Sequence, residues 1–188
     1  MPRAIAGLAA LLLAALLSAA CGQPPTELNT DQAKFKKQVR EILSHEEKII
    51  APLLAKGATP AELQKNIDQQ FAQAIDAGKP LDHDLAVLSS KAVVLAWRSP
   101  DPEDLKQTYL GYIGQNYSHF KKMDPVFKKD RIAAFEVYTQ YGPGFGVCAP
   151  LNQDGKLLGA LCVGYDYDSL IKRHGVDKNE LLAINFNE

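Results

Sequence analysis

The sequence predicts an α+β fold in one domain, with N-terminal helices followed by an antiparallel sheet. Three observations carry this expectation. Apolar residues between Asp31 and Gly78 recur at helical spacing on an otherwise charged background. From Ile132 onward, β-rich runs alternate with clusters of turn residues. Beyond the first apolar stretch the chain has roughly 165 residues, a length suited to one hydrophobic core.

The first helix is expected from Asp31, with Thr30 as N-cap. Its apolar stripe is Phe35, Val39, Ile42, Leu43, Ile49, Ile50, Leu53 and Leu54. Pro52 should kink its last turn, and Gly57 should end it. Thr59-Pro60-Ala61-Glu62 then forms a capping box with proline at the first helical position. Leu63, Ile67, Phe71, Ala74 and Ile75 make the second stripe, and Gly78 stops it. Residues 81–97 read two ways: Leu81, Leu85, Leu88 and Ala92 fit a helix, whereas the run Ala92 to Trp97 fits a buried strand. The reading adopted is a helix running into a short strand. Ser99-Pro-Asp-Pro102 punctuates, and Asp101 is expected to cap a helix reaching about Lys122.

The last third should be sheet. Ile132–Tyr141, Phe145–Leu151 and Leu157–Tyr165 are separated by Gly142-Pro143-Gly144 and by Asn152-Gln153-Asp154-Gly155. In the first run Phe135, Val137 and Thr139 face one way, and Glu136, Tyr138 and Gln140 the other. Asp154-Gly155 signals a hairpin. Pairing Asn152 with Gly155 sets Cys148 opposite Gly159 and turns Cys162 to the other face. Two small buried thiols are therefore expected rather than a disulfide. Asp166–His174 reads as a short helix, and Leu181–Phe186 as a final helical turn or edge strand.

The N-terminus has the grammar of an export signal: Arg3, an Ala/Leu run from Ala4 to Leu17, then Ser18-Ala19-Ala20 and Cys21. The run is short for a membrane span, which needs about 20 residues. With its cysteine after small residues, the segment resembles the bacterial lipobox, although Ser18 stands where Leu, Val or Ile is usual. The resemblance implies cleavage after Ala20 and acylation of Cys21; the alternative is an ordinary secretory signal. The resulting division is a signal peptide over 1–20, a lipid-anchored tether over 21–29 and a binding domain over 30–188. Gly22, which is not Asp, implies by the same resemblance the outer membrane, facing the periplasm. Formal net charge is −1, which gives no basic field for nucleic acid.

A second resemblance rests on residues 147–170, Val-Cys-Ala-Pro-Leu-Asn-Gln-Asp-Gly-Lys-Leu-Leu-Gly-Ala-Leu-Cys-Val-Gly-Tyr-Asp-Tyr-Asp-Ser-Leu. This strand, Asp-Gly turn, strand and Leu-bearing helix resembles the end of a Cache domain, the PAS-like extracytoplasmic sensor module. It implies an antiparallel PAS/Cache-like sheet with a ligand held between the sheet and the elements covering one face. The implied function is small-molecule binding without catalysis, with any signal passed to a separate receptor protein.

Trp97, Arg98, Glu136, Tyr138, Tyr141, Tyr165 and Asp166 gather around this sheet as candidate ligand-binding residues. An aromatic wall with one arginine and an acid suits an amino-acid-like or carboxylate ligand. Core packing is the competing reading for each of them. His45, His83, His119 and His174 stand alone, and no Cys-x₂-Cys is present, so neither metal nor cofactor is expected. No Gly-x-Ser-x-Gly or P-loop points to catalysis, and Gly142–Gly146 reads as a wide turn between strands. Lys121, Lys122, Lys128, Lys129 and Arg131 form a basic stretch, read as a solvated loop or a dock for acidic groups. The alternative function is that of an interaction or assembly lipoprotein, similar to a pilotin, whose groove holds a protein segment.

Overall fold

The computed structural model describes residues 27–79, 81–100, 112–139 and 142–188. The leader, Cys21, most of the tether, the expected start of a helix at Asp101, Gln140 and Tyr141 lie outside the described residues. Two helices lead: α1, Thr30–Ala55, and α2, Pro60–Asp76. The cap of α1 is Asn29 rather than Thr30. Its side chain accepts from the Gln32 amide while Gln32 returns a bond to the Asn29 N–H, and this reciprocal arrangement fixes the start one residue earlier. Thr59 and Glu62 form the expected box on α2.

Residues 84–98 correct the helical expectation. They form a hairpin of β1, Asp84–Ser89, and β2, Val94–Arg98. Its turn lacks the Gly or Asn that would have signalled it. Ala92 takes the left-handed conformation, at φ 59°, and the Ser89 hydroxyl accepts from the amides of Lys91 and Val93. Because β1 is covered on both faces, its sequence shows no clean polar alternation. Residues 112–120 are not helical beyond Tyr112 either. Gly114 to Tyr117 instead hydrogen-bond to the chain between Ala92 and Val94. A 3₁₀ turn at Lys121–Met123 leads into the short α3, Asp124–Lys129.

β3 spans Ala133–Thr139, β4 Gly142–Gln153 and β5 Lys156–Asp166. Gly142-Pro143-Gly144 belongs to β4, opposite Val137–Thr139, rather than to a wide turn. The two-residue turn at Asp154-Gly155 has φ of 53° and 72°, a geometry that glycine tolerates best. α4, Tyr167–His174, starts on an Asp166 cap, and α5, Lys178–Leu182, on an Asp177 capping box. The sheet is five-stranded and antiparallel in the order β2-β1-β5-β4-β3. Helices ahead of such a sheet make an α+β, PAS/Cache-like domain.

The cysteines correct a second expectation. Gln153 pairs with Lys156, and a register shift beyond Asn152 sets Leu151 opposite Gly159 and Cys148 opposite Cys162. The added residue restores equal parity. The two cysteines form a disulfide with Cα atoms 4.0 Å apart.

Two apolar layers sandwich the sheet. Phe35, Val39, Ile50, Leu63 and Ile67 of the helices pack on Val87, Phe145, Val147, Leu161 and Val163. The opposite face carries a smaller cluster including Leu88, Trp97, Met123, Phe135 and the disulfide. The chain's last residues close the first layer: Phe186 is buried against Phe35 and Phe145. The start of α1 is stitched to the same region, since Gln32 donates to the Glu180 carbonyl and Asn29 to its carboxylate.

Both outer strands carry an amide clamp. On β2 the buried Gln64 side chain accepts from the Trp97 N–H at 2.9 Å and donates to the Trp97 carbonyl at 3.0 Å. Beside β3, Asn187 pairs with the N–H and carbonyl of Ile132 at 2.8 and 3.0 Å. Each side chain stands in for part of a neighbouring strand at an outer edge of the sheet.

Candidate functional site

A cavity of about 440 Å³ lies on the sheet face away from α1 and α2. Its floor is the sheet itself: Ala86 and Leu88 of β1, Cys162 and Gly164 of β5, and Gly146 and Cys148 of β4. Phe135 and Val137 close one side, Val94 and Trp97 the other. Tyr112, Tyr117, Phe120 and Met123 line it from the segment leading to α3. Small residues on β4 and β5 keep the floor low. A Cβ on Gly146 would sit 3.3 Å from the Phe135 ring, and one on Gly164 would sit 3.3 Å from Asp84 Cβ.

Two aromatic pairs frame this space. Trp97 and Tyr112 have ring centroids 4.9 Å apart at 36°, and Phe120 meets Phe135 edge-on at 5.3 Å. Such pairs hold their rings in place by quadrupole and dispersion forces. Charge is sparse. Lys122 Nζ lies 5.9 Å over the Phe120 ring and 3.5 Å from the Glu136 carbonyl oxygen. Asp84 and His119 also line the cavity, His119 being exposed. Burial pushes the Tyr117 hydroxyl above its ordinary range, and that hydroxyl donates to Gln115.

Of the seven residues singled out from sequence, the cavity brings together Trp97, Glu136 and Tyr138. Only Trp97 is a wall. Glu136 and Tyr138 border the cavity at β3, but their parity is opposite to that of Phe135 and Val137. Glu136 binds Lys178 of α5 at 2.5 Å, which holds its carboxyl below the usual range, and it also accepts from Tyr138. Arg98 lies on the helical side, 3.3 Å from Asp68 and 5.7 Å over the Phe71 ring. Tyr165 is core, packed edge-on to Phe35 at 5.2 Å. Asp166 caps α4. Tyr141 is outside the described residues. Sequence reasoning missed Tyr112, Tyr117, Phe120 and Met123, which it had placed on a helix or in a basic loop.

A separate polar cluster lies beneath the helices. Asp82 Oδ1 is 3.3 Å from His83 Nδ1, and Asp82 Oδ2 is 3.1 Å from His174 Nε2. The two histidines hold the Asp82 carboxyl below its ordinary range against the effect of burial. Glu46 is buried nearby with Oε2 unpartnered. Burial pushes its carboxyl up, against partial relief from Gln70, His45 and His83. Tyr165, its hydroxyl also unpartnered, is pushed upward by burial and by Asp82. Among the described residues no group of three or more His, Cys, Asp or Glu is placed to hold a metal ion. No described helix is long and apolar enough to cross a membrane.

No protein-family model matches the chain, and no curated protein matches its sequence. Solved structures do show likeness. The sensor domain of the Vibrio cholerae histidine kinase DctB aligns with a TM-score of 0.46 at 12% identity, over 86% of this chain and 60% of that one. A domain of a sensory box/GGDEF family protein from Vibrio parahaemolyticus gives 0.47 at 13% identity, over 80% of this chain and 63% of that one. The PAS domain of a Colwellia psychrerythraea protein gives 0.38 at 16% identity, over 53% of this chain and 96% of that one. The chain thus spans about three fifths of the length of the first two.

Proposed function

We propose that this chain is a small-molecule-binding, sensor-type domain without catalysis, held by lipid on Cys21 at the outer membrane and facing the periplasm. The observation that carries the binding reading is the 440 Å³ cavity floored by the sheet and framed by two aromatic pairs. Its size falls among small-molecule pockets, which are concave and mostly apolar. The anchor rests on the leader sequence ending in Cys21. In this reading residues 21–29 tether the domain, and a separate receptor protein takes up the signal.

Binding is tested by fluorescence, because Trp97 is the chain's single tryptophan and forms a cavity wall. A ligand that enters should shift its emission saturably and raise the melting temperature. A broad metabolite screen that moves neither would refute the binding reading. For the anchor, labelled palmitate should mark the wild type and not Cys21→Ser; equal labelling of both would refute lipidation.

The apolar lining also favours the alternative reading, an assembly lipoprotein whose groove takes a partner's apolar segment. A peptide that shifts Trp97 emission where small molecules do not would select it.

A further inference from the structure

We infer that the cavity takes a flat, uncharged aromatic ring system rather than an amino acid or a dicarboxylate; this deepens the binding reading above and rests on it. The shape argument comes first. Where β4 and β5 form it, the floor has little relief, because Gly146, Cys148, Cys162 and Gly164 line it there, with Leu88 of β1 as a larger neighbour. Trp97 with Tyr112, and Phe120 with Phe135, stand on two sides of that floor. A planar ring laid between them would have aromatic side chains on either side, whose π faces and edges favour stacked or edge-on contact. Met123, 4% exposed, offers a deformable, polarizable contact above.

Charge gives the second argument. An amino acid or a dicarboxylate brings two formal charges, and each must find a fixed partner to leave water. Among the described residues the lining contains no arginine, and Arg98, the nearest in sequence, lies on the other face bound to Asp68. Lys122 is exposed at the margin and already sits against the Phe120 ring and the Glu136 carbonyl. The carboxylate of Glu136 is committed to Lys178. Of the remaining charged or titratable lining residues, Asp84 is itself an acid and His119 is exposed, so a bidentate clamp for a carboxylate is not assembled here, whereas an uncharged ring needs none.

The test titrates the full mature protein with indole and 2-naphthol, with L-amino acids and succinate, and with choline. Melting temperature and displacement calorimetry supplement Trp97 emission, since the aromatic probes absorb and emit light themselves. Saturable binding of indole or 2-naphthol, weakened about tenfold in Phe120→Ala, is expected. Phe120 is only partly buried, so this variant should keep the fold. Tyr112→Ala, on the opposite pair, supplies a second probe, and far-UV circular dichroism checks both. Binding of amino acids, succinate or choline without the aromatic probes would overturn the ligand class and leave the binding reading standing. Binding of the aromatic probes unchanged in both variants would overturn the placement. Silence from every probe in folded protein would overturn the ligand class, while the broad metabolite screen decides the binding reading.

Discussion

Replacing Gln64 should loosen the edge of the sheet at the residue that walls the cavity. Its amide satisfies both the N–H and the carbonyl of Trp97, and Gln64 itself is buried. Gln64→Ala leaves two backbone groups without partners, each costing about 1–3 kcal/mol if water cannot reach them. The expected loss is therefore about 2–4 kcal/mol, part of the upper range being relieved by water entering at the edge. At about 2–4 °C per kcal/mol for a domain of this size, the melting temperature should fall by roughly 5–15 °C. Gln64→Glu separates hydrogen bonding from packing. A carboxylate can still accept from the Trp97 N–H, but it cannot donate to the Trp97 carbonyl, and it faces Asp68, 3.0 Å from the present amide nitrogen. This variant should be weakened at neutral pH and recover in acid, where a protonated carboxyl donates again. Urea unfolding followed by Trp97 emission and far-UV circular dichroism reads both variants. A loss below about 0.5 kcal/mol in Gln64→Ala would refute the clamp argument.

Other perturbations have equally definite expectations. Cys148→Ala/Cys162→Ala opens a cross-link spanning 14 residues of sequence and should cost about 3 kcal/mol by loop entropy; urea titration giving under about 1 kcal/mol would reject that account. Glu46 is held above its ordinary pKa of 4.5, so the folded state keeps a proton that the unfolded state releases as pH rises. Glu46→Gln should therefore stabilise, by a margin that grows from acid to neutral pH; a margin independent of pH would sink the reasoning. Asp82 is held below its ordinary 3.8, so its contribution exists above that pH and is lost as pH falls through the lowered value. Asp82→Asn should accordingly destabilise at neutral pH and converge with wild type in acid, as thermal melts over a pH series would show. Gly159→Ala puts a methyl 2.1 Å from the Leu88 carbonyl oxygen. Separating β1 from β5 should cost at least about 2 kcal/mol, and a melting temperature equal to wild type would contradict it.

Helices α1, α2 and α4 and the β4–β5 hairpin were legible in the sequence because their signals are local. Capping boxes, a 3.6-residue stripe and an Asp-Gly turn each declare themselves within a few residues. The β1–β2 hairpin was hidden because its turn places alanine at a positive φ, stabilised by a serine hydroxyl instead of by glycine. The disulfide was hidden by one residue of register shift, which no pairing inferred from the turn alone could supply. At the site, Trp97 was readable but its neighbour was not an ally. Trp97 and Arg98 are consecutive in a strand, so only one of them can face the cavity. The aromatic residues at 112, 117 and 120 follow no helical or strand period. They come together through an irregular segment anchored to the chain at Ala92–Val94.

The stitching of α1 to the chain's last residues has a mechanical consequence. Phe35 reaches Phe186 and Gln32 reaches Glu180, so the first helix and the segment around residues 180–186 bear load together. A pull applied to the chain ahead of Asn29 reaches the first turn of α1 and is resisted there by contacts with residues about 150 positions away. Contacts joined in this way should open as one unit. Hydrogen exchange at α1's first turn and at α5 is expected to rise together under tension or truncation.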